Sequence, residues 1–413
     1  MRPLPRQKIY KISIIKSFFD FFTFGLFNYY KTNKLTHSLQ KFFDEKKILC
    51  LNRGRLGAYL ATKVSVTKNK KKVILSPFTI YDVINMVICA GAQPVFCDVE
   101  KSSITINMEN ILKVYDDEVA AILITHTHLM NSDILEIVKF CKSKNIILIE
   151  DCAISFGTKL NDQLIGTLGD ISFFSFGLFK FVSSLNGGLI LATNKKIYDK
   201  ILEEYVNFRG IDYTMIFKNF FKSIFITTLT NNFIFKFFSS FIIKYGQLHK
   251  IKIINNFSKN DPNPQYLKKI PKNYKKIISP SQSAAILQQI PNYINDFKIR
   301  IDNAKIYYMN LKDINEIEIP YFDNNFCNGW INFPIMYKER DKLLNFLFEN
   351  NRDLAIYFYR NCNDLNIFDK YKNKNLKVIN EVINEIIILP TYPKYEKKQI
   401  MQNIILIKQF FNV

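Results

Sequence analysis

Gly169-Asp170-Ile171-Ser172-Phe173-Phe174-Ser175-Phe176-Gly177-Leu178-Phe179-Lys180, running on to Asn186-Gly187-Gly188-Leu189-Ile190, is the stretch from which the fold is read. Two apolar runs of strand length frame one lysine, five residues after Ser175 and seven before Gly187. An amine in that position can condense with an aldehyde cofactor. It can equally be an edge-strand lysine whose head reaches solvent. The choice between the two rests on residues 29 positions upstream.

There the chain reads Ile146-Ile147-Leu148-Ile149-Glu150-Asp151-Cys152-Ala153. A continuous apolar run ending in acids describes a buried parallel strand with carboxylates at its C-terminal edge, where open α/β sheets bind ligands. Asp151 there is either a plain strand-end cap or a partner for a cofactor. Pyridoxal phosphate needs a carboxylate that keeps its ring nitrogen protonated, together with a lysine within reach. Asp151 and Lys180 supply that pair.

Further blocks carry a resemblance. They are Ser76-Pro77-Phe78-Thr79, Ala90-Gly91-Ala92-Gln93-Pro94-Val95-Phe96-Cys97-Asp98, Ser155-Phe156-Gly157, Gly166-Thr167-Leu168-Gly169-Asp170, Ala284-Ala285-Ile286-Leu287-Gln288-Gln289 and Leu389-Pro390-Thr391-Tyr392-Pro393. With the Asp151 and Lys180 stretches they span residues 48–210 and 277–410 in order, and the chain resembles the DegT/DnrJ/StrS family of pyridoxal-phosphate-dependent sugar aminotransferases. The resemblance implies a fold-type I aminotransferase: a large, doubly wound, mostly parallel sheet domain and a small C-terminal α+β domain, usually paired as a homodimer. It implies amino transfer from an amino acid, usually glutamate, to a keto-sugar in glycan or polysaccharide biosynthesis. The acceptor would be nucleotide-linked or lipid-linked. Relatives with histidine at the position of Lys180 are dehydratases, so the lysine implies a transaminase in which it also serves as general base.

The resemblance also assigns residues. Gly54-Arg55 stands where the family has a phosphate-binding Gly-Thr turn, and a glycine opening a helix lets backbone N–H groups approach an anion. An ordinary turn glycine is the plainer reading of Gly54; Arg55 would add a charge-assisted contact. Ser175 matches the family's phosphate-binding serine. Lys276 stands near a missing Asn-x-Arg and would place a point charge on the phosphate of the neighbouring subunit. Three positions depart from the pattern. Ile154 replaces a Gln or His, Phe181 replaces an Asn after the lysine, and Ile80, next to Tyr81, occupies the ring-stacking position. His126 and His128 end a strand near the site, in either a structural or a catalytic role.

The chain of 413 residues carries a net charge of +21, and the charge is clustered. Residues 1–47 hold ten Lys and Arg against three acids, and residues 211–276 hold twelve Lys against two. Both stretches are rich in phenylalanine, including Phe18, Phe19, Phe21, Phe22, Phe24 and Phe27 in the first. Basic residues interleaved with large apolar ones describe a membrane-surface helix better than a nucleic-acid surface; packing within the protein or between subunits is the alternative. The longest uncharged run of the second stretch, Ser223–Phe235, is shorter than the roughly 20 residues of a bilayer span. No small-residue cleavage site follows the first apolar run, so a secretory signal is not expected. Seven scattered cysteines without a CxxC pair favour a reducing cytoplasm and give no zinc pattern.

The expected organisation is a basic, Phe-rich extension (1–47), a cofactor-binding domain (48–210), a basic, Phe-rich insertion (211–276), and a long helix with a small domain (277–413). Residues 48–62 read as a turn opening a helix, and residues 281–308 as a long helix interrupted near Pro291. A decayed aminotransferase fold acting as a membrane-surface scaffold is the competing function.

Overall fold

The computed structural model of the protein describes residues 29–127, 133–178, 180–229, 231–242, 245, 251, 263–322, 326–352, 354–356 and 360–413. The N-terminal phenylalanines Phe18 to Phe27 and His128 lie outside the described residues.

The first helix, α1 (Tyr29–Phe42), is followed by strand β1 (Lys47–Leu51) and helix α2 (Arg55–Ser65). Leu35, Leu39 and Phe43 are fully buried, and Thr32 Oγ1 lies 3.1 Å from Ser283 Oγ. Leu35, Leu39 and Phe43 thus tie helix α1 into the core of the large domain. The expected turn over residues 48–62 is corrected. Lys47–Leu51 is a strand because Ile48, Cys50 and Leu51 are all covered, and the turn is confined to Asn52–Gly54.

From there strands and helices alternate as expected. Strand β2 (Lys72–Leu75) leads to α3 (Tyr81–Cys89), β3 (Gln93–Phe96), β4 (Val119–Thr125), α4 (Ile134–Lys144), β5 (Ile147–Asp151), β6 (Ile171–Ser175), β7 (Gly188–Ala192) and α5 (Lys195–Tyr205). The strands form one sheet in the order β1-β7-β6-β5-β4-β2-β3. Strand β7 runs antiparallel to both neighbours and the other pairings are parallel. Successive strand residues enter separate cores: Leu123, Ile149 and Phe173 on one side, Ile122, Leu148 and Phe174 on the other. Apolar side chains on both faces explain why these strands read as unbroken hydrophobic runs.

After α6 (Tyr213–Leu229) the chain passes through the helical turns Asn232–Ile234 and Phe235–Ser239. Among the described residues no helix is long and apolar enough to cross a membrane. Helix α7 (Pro280–Leu287) opens on a capping box between Ser279 and Gln282, and the tight turn Ile290–Asn292 separates it from α8 (Tyr293–Leu311). Pro291 lies in that turn, where it removes a helical hydrogen-bond donor. The small domain holds an antiparallel sheet, β8 (Asn332–Met336), β9 (Ala355–Ile356) and β10 (Ile386–Pro390) in the order β8-β10-β9. It closes with α9 (Lys397–Phe411), where Asn403 Nδ2 donates to the buried Tyr307 hydroxyl at 3.0 Å.

Candidate active site

Strands β5 and β6 run side by side, so their C-terminal ends deliver Asp151 and Ser175 to the same edge of the sheet. Side chains alternate along β5, which sends its two acids in different directions. Glu150 is fully buried in a structural role. Its oxygens accept from the backbone N–H groups of Gly166 (2.9 Å), Leu168 (2.9 Å) and Gly169 (2.7 Å). His126 Nε2 lies 2.8 Å from Glu150 Oε2, so the ring is engaged in holding that acid. Donor atoms of His126, Glu150 and Cys152 lie within 4.8 Å of one another. Glu150 is already saturated by three amides and burial holds the Cys152 thiol well above its usual range, which disfavours a metal there.

Asp151 is also buried, but accepts from Ala153 N at 3.0 Å. Burial pushes its carboxyl pKa up to about 6; the Ala153 bond and the charges of Lys180 and His126 oppose that rise. Lys180 is half-buried, its backbone N–H donating to Gly177 O at 3.3 Å. Burial lowers its amine to about 8, with Asp151 raising it and Arg55 lowering it further. The predicted acid and amine thus lie within electrostatic reach of each other, as do Lys180 and the Arg55 turn.

Gly54, Ser175 and Gly188 come together as a tight cradle at the start of α2. A Cβ on Gly54 would stand 2.7 Å from Ser175 Cβ and 2.9 Å from Ser175 Oγ. A Cβ on Gly188 would stand 2.7 Å from Gly54 N. Gly54 caps the helix without a side chain and sets the N-terminus of α2 against Ser175, while the amides of Leu56 and Gly57 turn back to Arg53 O at 3.3 Å and Gly54 O at 2.8 Å. Just upstream, Asn52 is fully buried and neither Oδ1 nor Nδ2 has a hydrogen-bond partner among the described residues. Orphaned buried amides of this kind mark a place where a bound group completes the structure. A serine hydroxyl, a helix N-terminus, a buried acid and a half-buried lysine are what a phosphorylated pyridine aldehyde requires, and the residues fit it.

Two neighbours of this cradle, Arg53 and Tyr274, were not legible in the sequence. Arg55 is paired with Asp82 and donates to the Tyr274 hydroxyl at 3.2 Å. Arg53 donates to Asp212 Oδ2 at 3.0 Å and lies 4.8 Å over the Tyr274 ring. Tyr274 thereby bridges the two arginines, but no local pattern ties a tyrosine to residues more than two hundred positions away. Lys276, two residues on, is half-buried beside Gly210 and is not brought to Ser175 or Lys180 by the described contacts of the single chain. Ile154 is buried, and Ile80 ends the turn before α3. Phe181 packs 6.1 Å from the Phe297 ring and carries the Arg300 guanidinium at 5.2 Å.

The sequence model of the DegT/DnrJ/EryC1/StrS aminotransferase family matches residues 25–231 and 246–406. The expected insertion over 211–276 is corrected by that match, since only residues 232–245 within it fall outside the family pattern. The GDP-perosamine synthase of Vibrio cholerae is 30% identical over 162 residues, 39% of this chain and 44% of that synthase. This chain thus spans less than half the length of that relative. The dTDP-4-amino-4,6-dideoxy-D-glucose transaminase of Shigella dysenteriae is 24% identical over 87% of this chain and 84% of the relative. The fold is that of the aminotransferase TlmJ from Streptoalloteichus hindustanus, with a TM-score of 0.76 at 13% identity over 100% of this chain and 99% of that one. Helicobacter pylori PseC, an aminotransferase involved in the biosynthesis of pseudoaminic acid, superposes with a TM-score of 0.75 at 15% identity over the full length of both chains.

Proposed function

Because this chain belongs to the DegT/DnrJ/EryC1/StrS aminotransferase family, we propose that it transfers an amino group from an amino acid to a keto-sugar, with pyridoxal phosphate as cofactor. Glutamate is the donor and a nucleotide carries the sugar, in the synthesis of a surface polysaccharide or glycan. The observation that supports this reading is that Lys180 lies within electrostatic reach of the buried Asp151, beside the Gly54–Ser175–Gly188 cradle.

The cofactor supplies an electron sink for bond breaking at the α-carbon of the donor. Asp151 holds the proton on the ring nitrogen: beside a cation it remains ionised, although burial alone raises its pKa. Lys180, with an amine lowered to about 8, would act as the base that takes the proton from the α-carbon of the donor and, in the other half of the transfer, as the acid that protonates the sugar carbon. Ser175 and the first turn of α2 hold the phosphate, with Arg55 and its Asp82 partner bracing the turn. Lys276 completes the phosphate site of a second subunit in a homodimer. The departures at Ile154 and Phe181 make the rest of the pocket more apolar than the family pattern. The seven unpaired cysteines suit a reducing cytoplasm. A lipid-linked acceptor is a second reading, favoured by the exposed phenylalanines of α6.

The test is an absorbance spectrum of the purified protein with pyridoxal phosphate, before and after glutamate, followed by turnover on nucleotide-linked keto-sugars. A visible cofactor band that glutamate bleaches is expected, and Lys180→Ala should lose both the band and turnover while melting like wild type. A protein with neither band nor turnover would be the decayed scaffold instead.

A further inference from the structure

One surface has no role in that chemistry. The outer face of α6 carries Phe217, Phe221 and Phe225, 45–52% exposed, and the turns after it carry Phe233, Phe238 and Phe241, 66–68% exposed. Ser239 Oγ donates to Leu229 O at 2.9 Å, folding those turns back on the end of α6. The Phe217 and Phe221 rings lie 4.7 Å apart and those of Phe233 and Phe237 4.8 Å apart, so exposed rings cluster along this segment, and such apolar patches mark docking surfaces.

Two observations identify the occupant. Between residues 213 and 245 there is no acid and there are four lysines, Lys218, Lys222, Lys236 and Lys244. Lys218 and Lys222 are exposed and stand next to Phe217 and Phe221 in sequence. Exposed lysines interleaved with exposed phenylalanines, in a stretch without an acid, complement an anionic lipid surface in both charge and polarity. In addition, Phe233, Phe238 and Phe241 fall in residues 232–245, which the family pattern passes over, so they lie outside the surface that the matched family pattern covers. We propose that this face docks the protein on an anionic bilayer, with the phenylalanines in the interfacial layer and the lysines at the headgroups.

The inner face of the same helix reaches the candidate active site. Asp212 Oδ1 accepts from Met215 N at 2.9 Å in the first turn of α6, while its other oxygen accepts from Arg53 beside the cradle. One turn further, Asn219 Oδ1 accepts from Asn186 Nδ2 at 2.9 Å, at the start of the Gly187-Gly188 loop. Docking therefore holds the cradle and the lysine loop close to the bilayer. The inference does not rest on the proposed reaction, since it concerns only the outer face.

Flotation of the full chain with phosphatidylglycerol-containing and pure phosphatidylcholine vesicles, at low and high salt, tests it. Wild type should float with the anionic vesicles at low salt and remain behind with neutral ones. The combined variant Phe233→Ser, Phe238→Ser, Phe241→Ser should bind roughly tenfold more weakly. Lys218→Gln and Lys222→Gln should each lower binding about fivefold, equivalent to about 1 kcal/mol per lysine. Turnover on a soluble acceptor should be unchanged in all of them. A wild-type protein that stays soluble under all four conditions overturns the proposal whatever the variants do. If in addition the triple phenylalanine variant passes from dimer to monomer on size exclusion, the face is a contact between copies of the chain.

Discussion

Asp151 and Glu150 are adjacent acids with opposite fates. Glu150 has its hydrogen bonds satisfied by the backbone, whereas Asp151 accepts one amide and is otherwise desolvated. A carboxyl whose pKa is raised from 3.8 to about 6 binds its proton more tightly in the folded chain than in the unfolded one. Its favourable contribution is therefore complete below the unfolded value and is lost as pH rises through about 6, an effect of roughly 3 kcal/mol at most. Cofactor-free Asp151→Asn should consequently gain on wild type as pH rises, by about 2 kcal/mol between pH 4 and pH 8. Urea midpoints of both proteins across that range measure it. A gap that does not change with pH would mean that Asp151 is solvated and the pocket is open to water. The variant should also lose most turnover, because an amide cannot hold a proton on the ring nitrogen.

Gly54, the α2 side of the cradle, follows strand β1, and the juncture of β1 and α2 is where the sequence was least informative. Ile48-Leu49-Cys50-Leu51 is a short apolar run directly after two lysines, and such runs do not separate strand from helix by periodicity. What makes it a strand is tertiary: pairing with β7 on one side, and the cover of α1 through Leu35 and Leu39. Gly54 was singled out only by the resemblance, and the structure adds a packing reason for a glycine there: a Cβ would stand 2.7 Å from Ser175 Cβ, with Gly188 packed against the same backbone. Gly54→Ala should weaken pyridoxal phosphate binding by at least roughly tenfold. It should bring no stability gain despite alanine's better helix propensity. Ser175→Ala removes a hydroxyl without adding bulk and should have the smaller effect. Titration of the cofactor into each variant checks this, and unaltered binding to Gly54→Ala would move the phosphate elsewhere.

The order of strands and helices was readable because each block of the large domain is a buried run ending in a distinctive residue, and the blocks keep their spacing. Charge was harder to interpret, since the fold brings Arg53, Arg55, Asp82, Asp212 and Tyr274 together from four separate segments. The role of Lys276 is a question about two chains. If it serves the partner's phosphate, mixing Lys180→Ala protomers with Lys276→Ala protomers should restore turnover, because each hybrid dimer contains one site with both lysines intact. Two variants that remain inactive after refolding together would place Lys276 in its own subunit's site or in none. Gln282 gives the assembled molecule another property. Its side-chain amide donates to Asn52 O at 2.9 Å and to Asn186 O at 3.0 Å, while its Oε1 accepts from Ser279 N at 2.9 Å. One planar group thus fastens two neighbouring loops, far apart in sequence, to the start of α7, and neither loop can open without loosening the other. Amide hydrogens around Asn52 and Asn186 should then exchange with solvent deuterium as a single cooperative unit, and Gln282→Ala should speed both together.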